Sequence, residues 1–404
     1  MEKKPAIRFE GYTDEWKQCN LSEIASKVSE KNVDLRYLET FTNSAEKGII
    51  SQQDYFDHAI SKLESIIGYY VVNDDDFVYN PRISVTAPVG PINRNKLGRS
   101  GVMSPLYTVF SLHDIDPAYL EWYFKSAYWH LYMHLNGNTG ARYDRFSISD
   151  KMFFQMPIPT PSMEEQKLIA HHFEQLDELI SLHQSNYEKM VATKKSMMDK
   201  LFPQGDAKVP AIRCEGFADE WEKKPLGAIV IPYSDPVEVP HNGYERLGIR
   251  SHGKGVFHEY VEAGKEITTA QLHRVAAHNF IVNITFAWEH AVAVTCDSDA
   301  GKLVSHRFPQ FSMADGIHDQ FLKYLILDAR FCHHLLLSSP GGAGRNRVLK
   351  IPELLEYEMM IPDIEEQKQI AGYLNSLDEL IKLYRIRIEK LKNIKAACLQ
   401  GMFV

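Results

Sequence analysis

Ten positions between residues 169 and 201 alternate steps of four and three, and the same ten recur 201 positions later. The first set is Ile169, Phe173, Leu176, Ile180, His183, Tyr187, Met190, Lys194, Met197 and Leu201. The second is Ile370, Leu374, Leu377, Ile381, Tyr384, Ile388, Leu391, Lys395, Cys398 and Met402. Such a repeat is a heptad seam. Core helices of ordinary domains rarely hold a 3.5-residue period for about five heptads, so each stripe needs a long partner. The spacing predicts two helices of about 39 residues, roughly 58 Å each at ~1.5 Å per residue, paired as an antiparallel coiled coil. Both seams carry a lysine late in their course, Lys194 and Lys395. Pro161 and Pro362 precede the expected N-caps Ser162 and Asp363, with Glu165 and Glu366 placed as the glutamates of a capping box.

The seams belong to a larger duplication. Residues 5–16 (PAIRFEGYTDEW) and 210–221 (PAIRCEGFADEW) share nine of twelve residues, and residues 164–184 and 365–385 share twelve of twenty-one. The stretches between, 17–160 and 222–362, are far less alike. Weak echoes persist. Asp76-Phe-Val-Tyr-Asn80 matches Asn279-Phe-Ile-Val-Asn283 as a short strand ending in asparagine, and Tyr119–Tyr123 matches Phe321–Leu325 on a helix. The expected fold is therefore mixed α+β. Two α/β heads of one architecture are joined by two long helices, with a pseudo-two-fold relation between the halves. The expected segments are a first head at 1–160, a helix at 161–204, a second head at 205–362 and a helix at 363–404. Shared frames with divergent inserts imply two similar tasks on two different targets, with recognition carried by loops.

Composition supports a folded protein: 44% apolar and 11% aromatic residues. No run approaches the roughly 20 apolar residues of a membrane helix, and the first residues, MEKKPAIRFEGY, lack an apolar signal core. Five scattered cysteines suit reduced thiols in a cytoplasm better than a disulfide framework. The net charge of −8 opposes generic nucleic-acid binding and leaves room for local basic surfaces.

Catalytic and metal signatures are missing. Asn80-Pro81-Arg82-Ile83 shares only its first two residues with the Asn-Pro-Pro-aromatic motif of adenine methyltransferases, and no cofactor loop lies upstream. His130 and His134 lie on an aromatic helix without His-Glu-x-x-His or Cys-x-x-Cys spacing, so no metal site is expected. Gly341–Gly344 lacks the Lys-Ser/Thr of a phosphate loop. Basic and amide residues do gather in loops. The candidates for DNA contact are Arg82, Arg94, Asn95, Lys96, Arg99, Asn138, Arg142 and Arg145 in the first insert. In the second they are Arg250, His252, Lys254, Arg274, Arg307, Arg345, Asn346 and Arg347. Arginine and lysine suit phosphates and guanine edges, and asparagine suits adenine edges.

The Trp-ended motif (Glu10–Trp16 and Glu215–Trp221) and the Glu-Glu-Gln-Lys-x-Ile-Ala helix starts at 164–170 and 365–371, each followed by Leu-Asp-Glu-Leu-Ile, resemble the specificity subunits of type I restriction-modification systems. The resemblance covers the whole chain. It implies two target recognition domains, each reading one half of a bipartite, asymmetric DNA site, with the helices fixing the spacer. It implies no catalytic activity and no cofactor in this chain. The partners it implies are double-stranded DNA, two methyltransferase subunits carrying S-adenosylmethionine, and through them restriction subunits. It transfers no base-reading residue. A duplicated enzyme and a coiled-coil scaffold for other proteins remain as alternative classes.

Overall fold

The computed structural model describes residues 4–55, 63–139, 144–266, 271–341 and 347–404. It divides into two compact units, Met1–Ser185 with Ile386–Val404, and Asn186–Arg385. Each unit holds one head, the start of one long helix and the end of the other.

Both heads are built on the same four-stranded antiparallel sheet. In the first unit the order is Ala25–Lys27, Thr108–Leu112, Phe77–Tyr79, Ile92–Arg94. In the second it is Val230–Tyr233, Gln310–Met313, Phe280–Val282, Val292–Val294. The strands Phe77–Tyr79 and Phe280–Val282 are buried at every residue, which is why they read as unbroken apolar runs. Two short helices cover each sheet, Pro117–Lys125 and Tyr128–Asn136 in one unit, Asp319–Leu325 and Ala329–Leu337 in the other. Outside this shared core the heads diverge. The first adds a hairpin, Phe41–Ser44 with Gly48–Ser51, and the pair Tyr70–Val72 with Gly101–Met103. The second adds a five-stranded sheet in which Arg246 pairs in parallel with Leu303.

The repeated motifs fasten each head to its helix. Strand Lys17–Asn20 pairs with Pro157–Thr160, and Glu222–Pro225 with Glu358–Ile361. Trp16 and Trp221 are buried in the two cores. Arg8 grips both oxygens of Glu165 at 2.7 and 2.9 Å, and Arg213 grips both oxygens of Glu366 at 2.9 Å. Gln166 Oε1 accepts from the backbone N–H of Asp116, the residue that caps the first head helix, at 2.8 Å. Gln367 Oε1 accepts from the corresponding His318 at 2.9 Å. Each glutamine thus satisfies a donor that a helix start leaves open, and its Nε2 returns to Pro161 O or Pro362 O at 2.9 Å. The capping-box expectation needs correction here. Ser162 Oγ does accept from Glu165 N at 3.3 Å, but both glutamate carboxylates are taken by arginine. A charged, bidentate partner outcompetes a neutral backbone N–H.

The seam residues pack within each unit. In the first, Ile169, Phe173 and Leu176 share a core with Leu391, Cys398, Met402 and Phe403, and Phe173 stacks on Trp122 at 4.9 Å. In the second, Ile370, Leu374 and Leu377 share a core with Met190, Met197, Leu201 and Phe202. The start of each long helix, Met163–Leu201 or Ile364–Gly401, lies beside the end of the other, so the pairing is antiparallel. Ile180, Tyr187, Ile381 and Ile388 are likewise buried or half-buried. The seam lysines have a duplicated explanation. Lys194 pairs with Asp378 at 2.5 Å and lies 5.3 Å over the Tyr324 ring. Lys395 pairs with Asp177 and lies 4.6 Å over the Trp122 ring. Each stem lies along the seam while its ammonium meets a carboxylate and an aromatic face. One further bond is duplicated: Ile7 N donates to Gly401 O at 2.8 Å, as Ile212 N donates to Lys200 O at 3.0 Å.

Candidate nucleic-acid interface

The buried strand of each sheet ends in an asparagine that turns the chain. Asn80 Oδ1 accepts from Arg82 N at 3.0 Å. Asn283 Oδ1 accepts from Thr285 N at 3.1 Å and Thr285 Oγ1 at 2.8 Å. These are Asx turns, and they launch loops 80–91 and 283–291 from the same corner of the two sheets. Each loop is pinned by the segment that closes its head. Phe146 N donates to Pro81 O at 2.7 Å, Ile83 N to Asp144 O at 3.1 Å, and Leu349 N to Ile284 O at 2.8 Å. The first loop is tight. Ser84 and Ala87 exchange backbone hydrogen bonds, and Gly90 sits at φ +86°, where a Cβ would lie 2.1 Å from Asn80 O. Only glycine fits there.

The candidates of the first head fall into two groups. Arg82 is exposed and bridges through its backbone to Arg145, and Asn138 bridges likewise to Ser147, so these residues converge on the loop corner. Arg142 lies outside the described residues. The other four sit at the far end of the same ribbon, where Phe77 faces Arg94. There acids hold the cations: Arg94 with Asp75 at 2.6 Å, Arg99 bidentate with Glu39 at 2.8 Å, Lys96 with Glu121 at 3.4 Å. Asn95 is fully buried, and its amide donates to Asn73 O at 2.8 Å and Arg99 O at 3.0 Å. Its expected role at DNA is therefore corrected. It closes a turn and offers nothing outward.

At that far end, burial pushes the Asp76 carboxyl up to about 6, against one backbone hydrogen bond from Asn73. A raised carboxyl favours the folded state most at low pH and loses that contribution as pH rises from about 4 through 6. Asp76→Asn is therefore expected to stabilise the protein at pH 7.5 by roughly 2 kcal/mol and to leave it unchanged at pH 4. Urea unfolding at the two pH values checks this, and equal effects at both would contradict it.

In the second head the hairpin between Tyr244–Ile249 and Val256–Val261 carries Arg250, His252 and Lys254 at its tip, all exposed. The tip is tied to the Asx-turn loop: His252 N donates to Glu289 O at 2.7 Å, Gly253 N to His290 O at 3.0 Å, and Ser251 Oγ to Glu289 Oε2 at 2.6 Å. Ile284 N donates to Arg307 O at 3.0 Å, and the Arg347 guanidinium lies 5.5 Å over the Trp288 ring. Five of the expected residues thus surround one loop. Arg274 sits apart, 3.6 Å from Asp235. Arg345 and Asn346 lie outside the described residues. Sequence reasoning missed Phe286 and Trp288, although the repeated strand-end asparagine marks where their loop begins. The corner gathers cations and an aromatic around one loop, a combination that suits phosphates and base edges.

The family model described as "Type I restriction modification DNA specificity domain" matches residues 14–190 and 260–393. The chain belongs to this specificity family. A relative is the type I restriction enzyme MjaVIII specificity subunit of Methanocaldococcus jannaschii, 26% identical over 316 residues, which span 74% of this chain and 72% of that protein. Among solved structures, the type I restriction-modification S subunit from M. genitalium matches with a TM-score of 0.56 at 12% identity, covering 99% of both chains. The HsdS subunit from Thermoanaerobacter tengcongensis matches at 0.51 and 14% identity, covering 96% of both. At such identities these structures speak for the fold, and they share with this specificity-family member its whole length of two heads and two helices. Among the described residues no helix is long and apolar enough to cross a membrane, and no group of three or more His, Cys, Asp or Glu could hold a metal ion.

Proposed function

We propose that this chain is the DNA-recognition subunit of a type I restriction-modification complex, each head reading one half of a bipartite, asymmetric site. One observation carries the reading. Two heads share a sheet, an Asx turn and a loop launched from the same corner, yet differ in the side chains around that loop. A common scaffold with different loop residues is how two different half-sites are read by one duplicated chain. The chain works without chemistry of its own. Methyl transfer belongs to two methyltransferase subunits that carry S-adenosylmethionine, and cleavage to restriction subunits that join through them. The methyltransferases take an adenine out of the stack, since its reactive atom is unreachable within the duplex. The paired helices set the length of the untouched spacer.

Co-expression with the cognate methyltransferase subunit, followed by mapping of methylated adenines across a host genome, tests the reading. The expected result is a split motif with a constant gap. Removing four residues, about one turn, from both long helices is expected to change the gap and leave both half-motifs intact. A contiguous motif would sink the spacer role, and altered half-motifs would sink the division of labour between heads and helices. Background methylation from an assembled complex would favour the scaffold alternative.

A further inference from the structure

The two strand-end asparagines differ in one hydrogen bond. Asn80 Nδ2 donates to Asn43 O at 2.8 Å. Asn283 is 8% exposed and its Oδ1 is engaged by Thr285, but among the described residues its Nδ2 has no acceptor. That Nδ2 is reached by solvent and is free to donate to a ligand. Asn283 lines a cleft of about 390 Å³ whose apolar walls include Phe257, Phe286 and Phe308, and whose other polar groups include Glu289 and Ser251. The walls are held in place. The Phe257 ring lies across Gly248, where a Cβ would come within 2.3 Å of it, and the Arg250 guanidinium lies 5.1 Å from the ring centre. Ser251 Oγ fixes the Glu289 carboxylate at 2.6 Å.

We propose that this cleft receives one nucleobase displaced from the duplex. The base stacks among the phenylalanines, Asn283 Nδ2 donates to an acceptor on its edge, and Glu289 accepts from an adjacent amine or ring N–H. The inference rests on the reading that the second head binds DNA. Shape selects a displaced base over a groove contact, because a stacked base edge is met by a protrusion and this surface is concave. Chemistry selects a base over an apolar side chain of a partner protein. An acceptor next to a donor is present on every base edge, and a donor and an acceptor line this slot. The volume lies within the range of small-molecule sites, roughly 300–1,000 Å³, and aromatic faces stack on any base. The slot opens beside the loop that Arg250, Arg307 and Arg347 surround. In the first head the equivalent amide is already engaged, so displacement is confined to one half-site.

The test uses the full chain with its methyltransferase subunit on a duplex carrying the mapped site, probed with reagents that attack unpaired bases. The base left opposite the displaced one should react in the half-site read by the second head. Its reactivity should fall at least fivefold in Asn283→Asp, which keeps the Oδ1 acceptor for Thr285 and removes the donor, and in Phe308→Ala. Bases reactive in every variant report the methyltransferases. Full DNA affinity with no base whose reactivity depends on Asn283 or Phe308 overturns the slot and leaves the recognition role standing. Failure of the wild-type complex to bind the duplex overturns both.

Discussion

Replacing Glu366 with alanine is expected to destabilise the second unit by about 3–5 kcal/mol, the usual effect of removing one partner of a buried ion pair. The carboxylate is fully buried and accepts from Arg213 Nε and Nη2 at 2.9 Å and from Trp221 Nε1 at 3.1 Å. Its loss strands a guanidinium and an indole N–H at the junction of head and helix. Glu165→Ala removes the same grip on Arg8, but Trp16 Nε1 is buried without a partner already, so the first unit should lose less. The pairwise replacement Arg213→Met with Glu366→Leu should recover most of the loss, since an apolar pair of similar volume needs no desolvation of charge. Chemical denaturation of the three variants measures these differences. A loss below about 1 kcal/mol for Glu366→Ala would show that the pair is not the fastening that its burial implies.

Substituting Arg250, Lys254, Arg307 and Arg347 together with alanine should weaken DNA binding by the assembled complex at least tenfold near 0.1 M salt. It should also flatten the salt dependence by about one unit of slope per lost phosphate contact. All four flank one loop, and none has an acidic partner among the ion pairs of the described residues. The matching change at Arg94, Lys96 and Arg99 should do much less, because those cations face Asp75, Glu121 and Glu39. Fluorescence anisotropy over a salt series separates the two sets. Equal losses from both would place the interface of the first head at the wrong end of its ribbon.

The periodic part of this molecule is legible in its sequence, and the non-periodic part is not. The seam, the helix ends and the buried strands follow from spacing, because burial on one helix face or on both sheet faces imposes a pattern on consecutive residues. Contacts between distant residues leave no such pattern. Nothing local to Arg99 announces Glu39, sixty residues earlier, and nothing about Asn95 says that its amide closes a turn. Two long-range pairs did leave a trace. Arg8 and Glu165 sit in the two repeated motifs and recur together as Arg213 and Glu366, so a charge and its counter-charge were both duplicated. The slot around Asn283 was illegible because its walls come from three separate stretches, Phe257, Phe286 and Phe308.

The division of the chain between the units also orders its synthesis. The second unit is one continuous stretch, Asn186–Arg385, and draws on no segment outside it. The first is discontinuous. Its helix start presents Ile169, Phe173 and Leu176, with Trp122 beside them, to a partner surface formed by Leu391, Cys398, Met402 and Phe403. Chain growth at roughly 5–20 residues per second leaves that apolar face uncovered while about 200 further residues emerge, a delay of some ten to forty seconds. The head made first is therefore the head completed last, and in the nascent protein it is the one exposed to chaperones, proteases and premature pairing with a neighbouring polysome's seam.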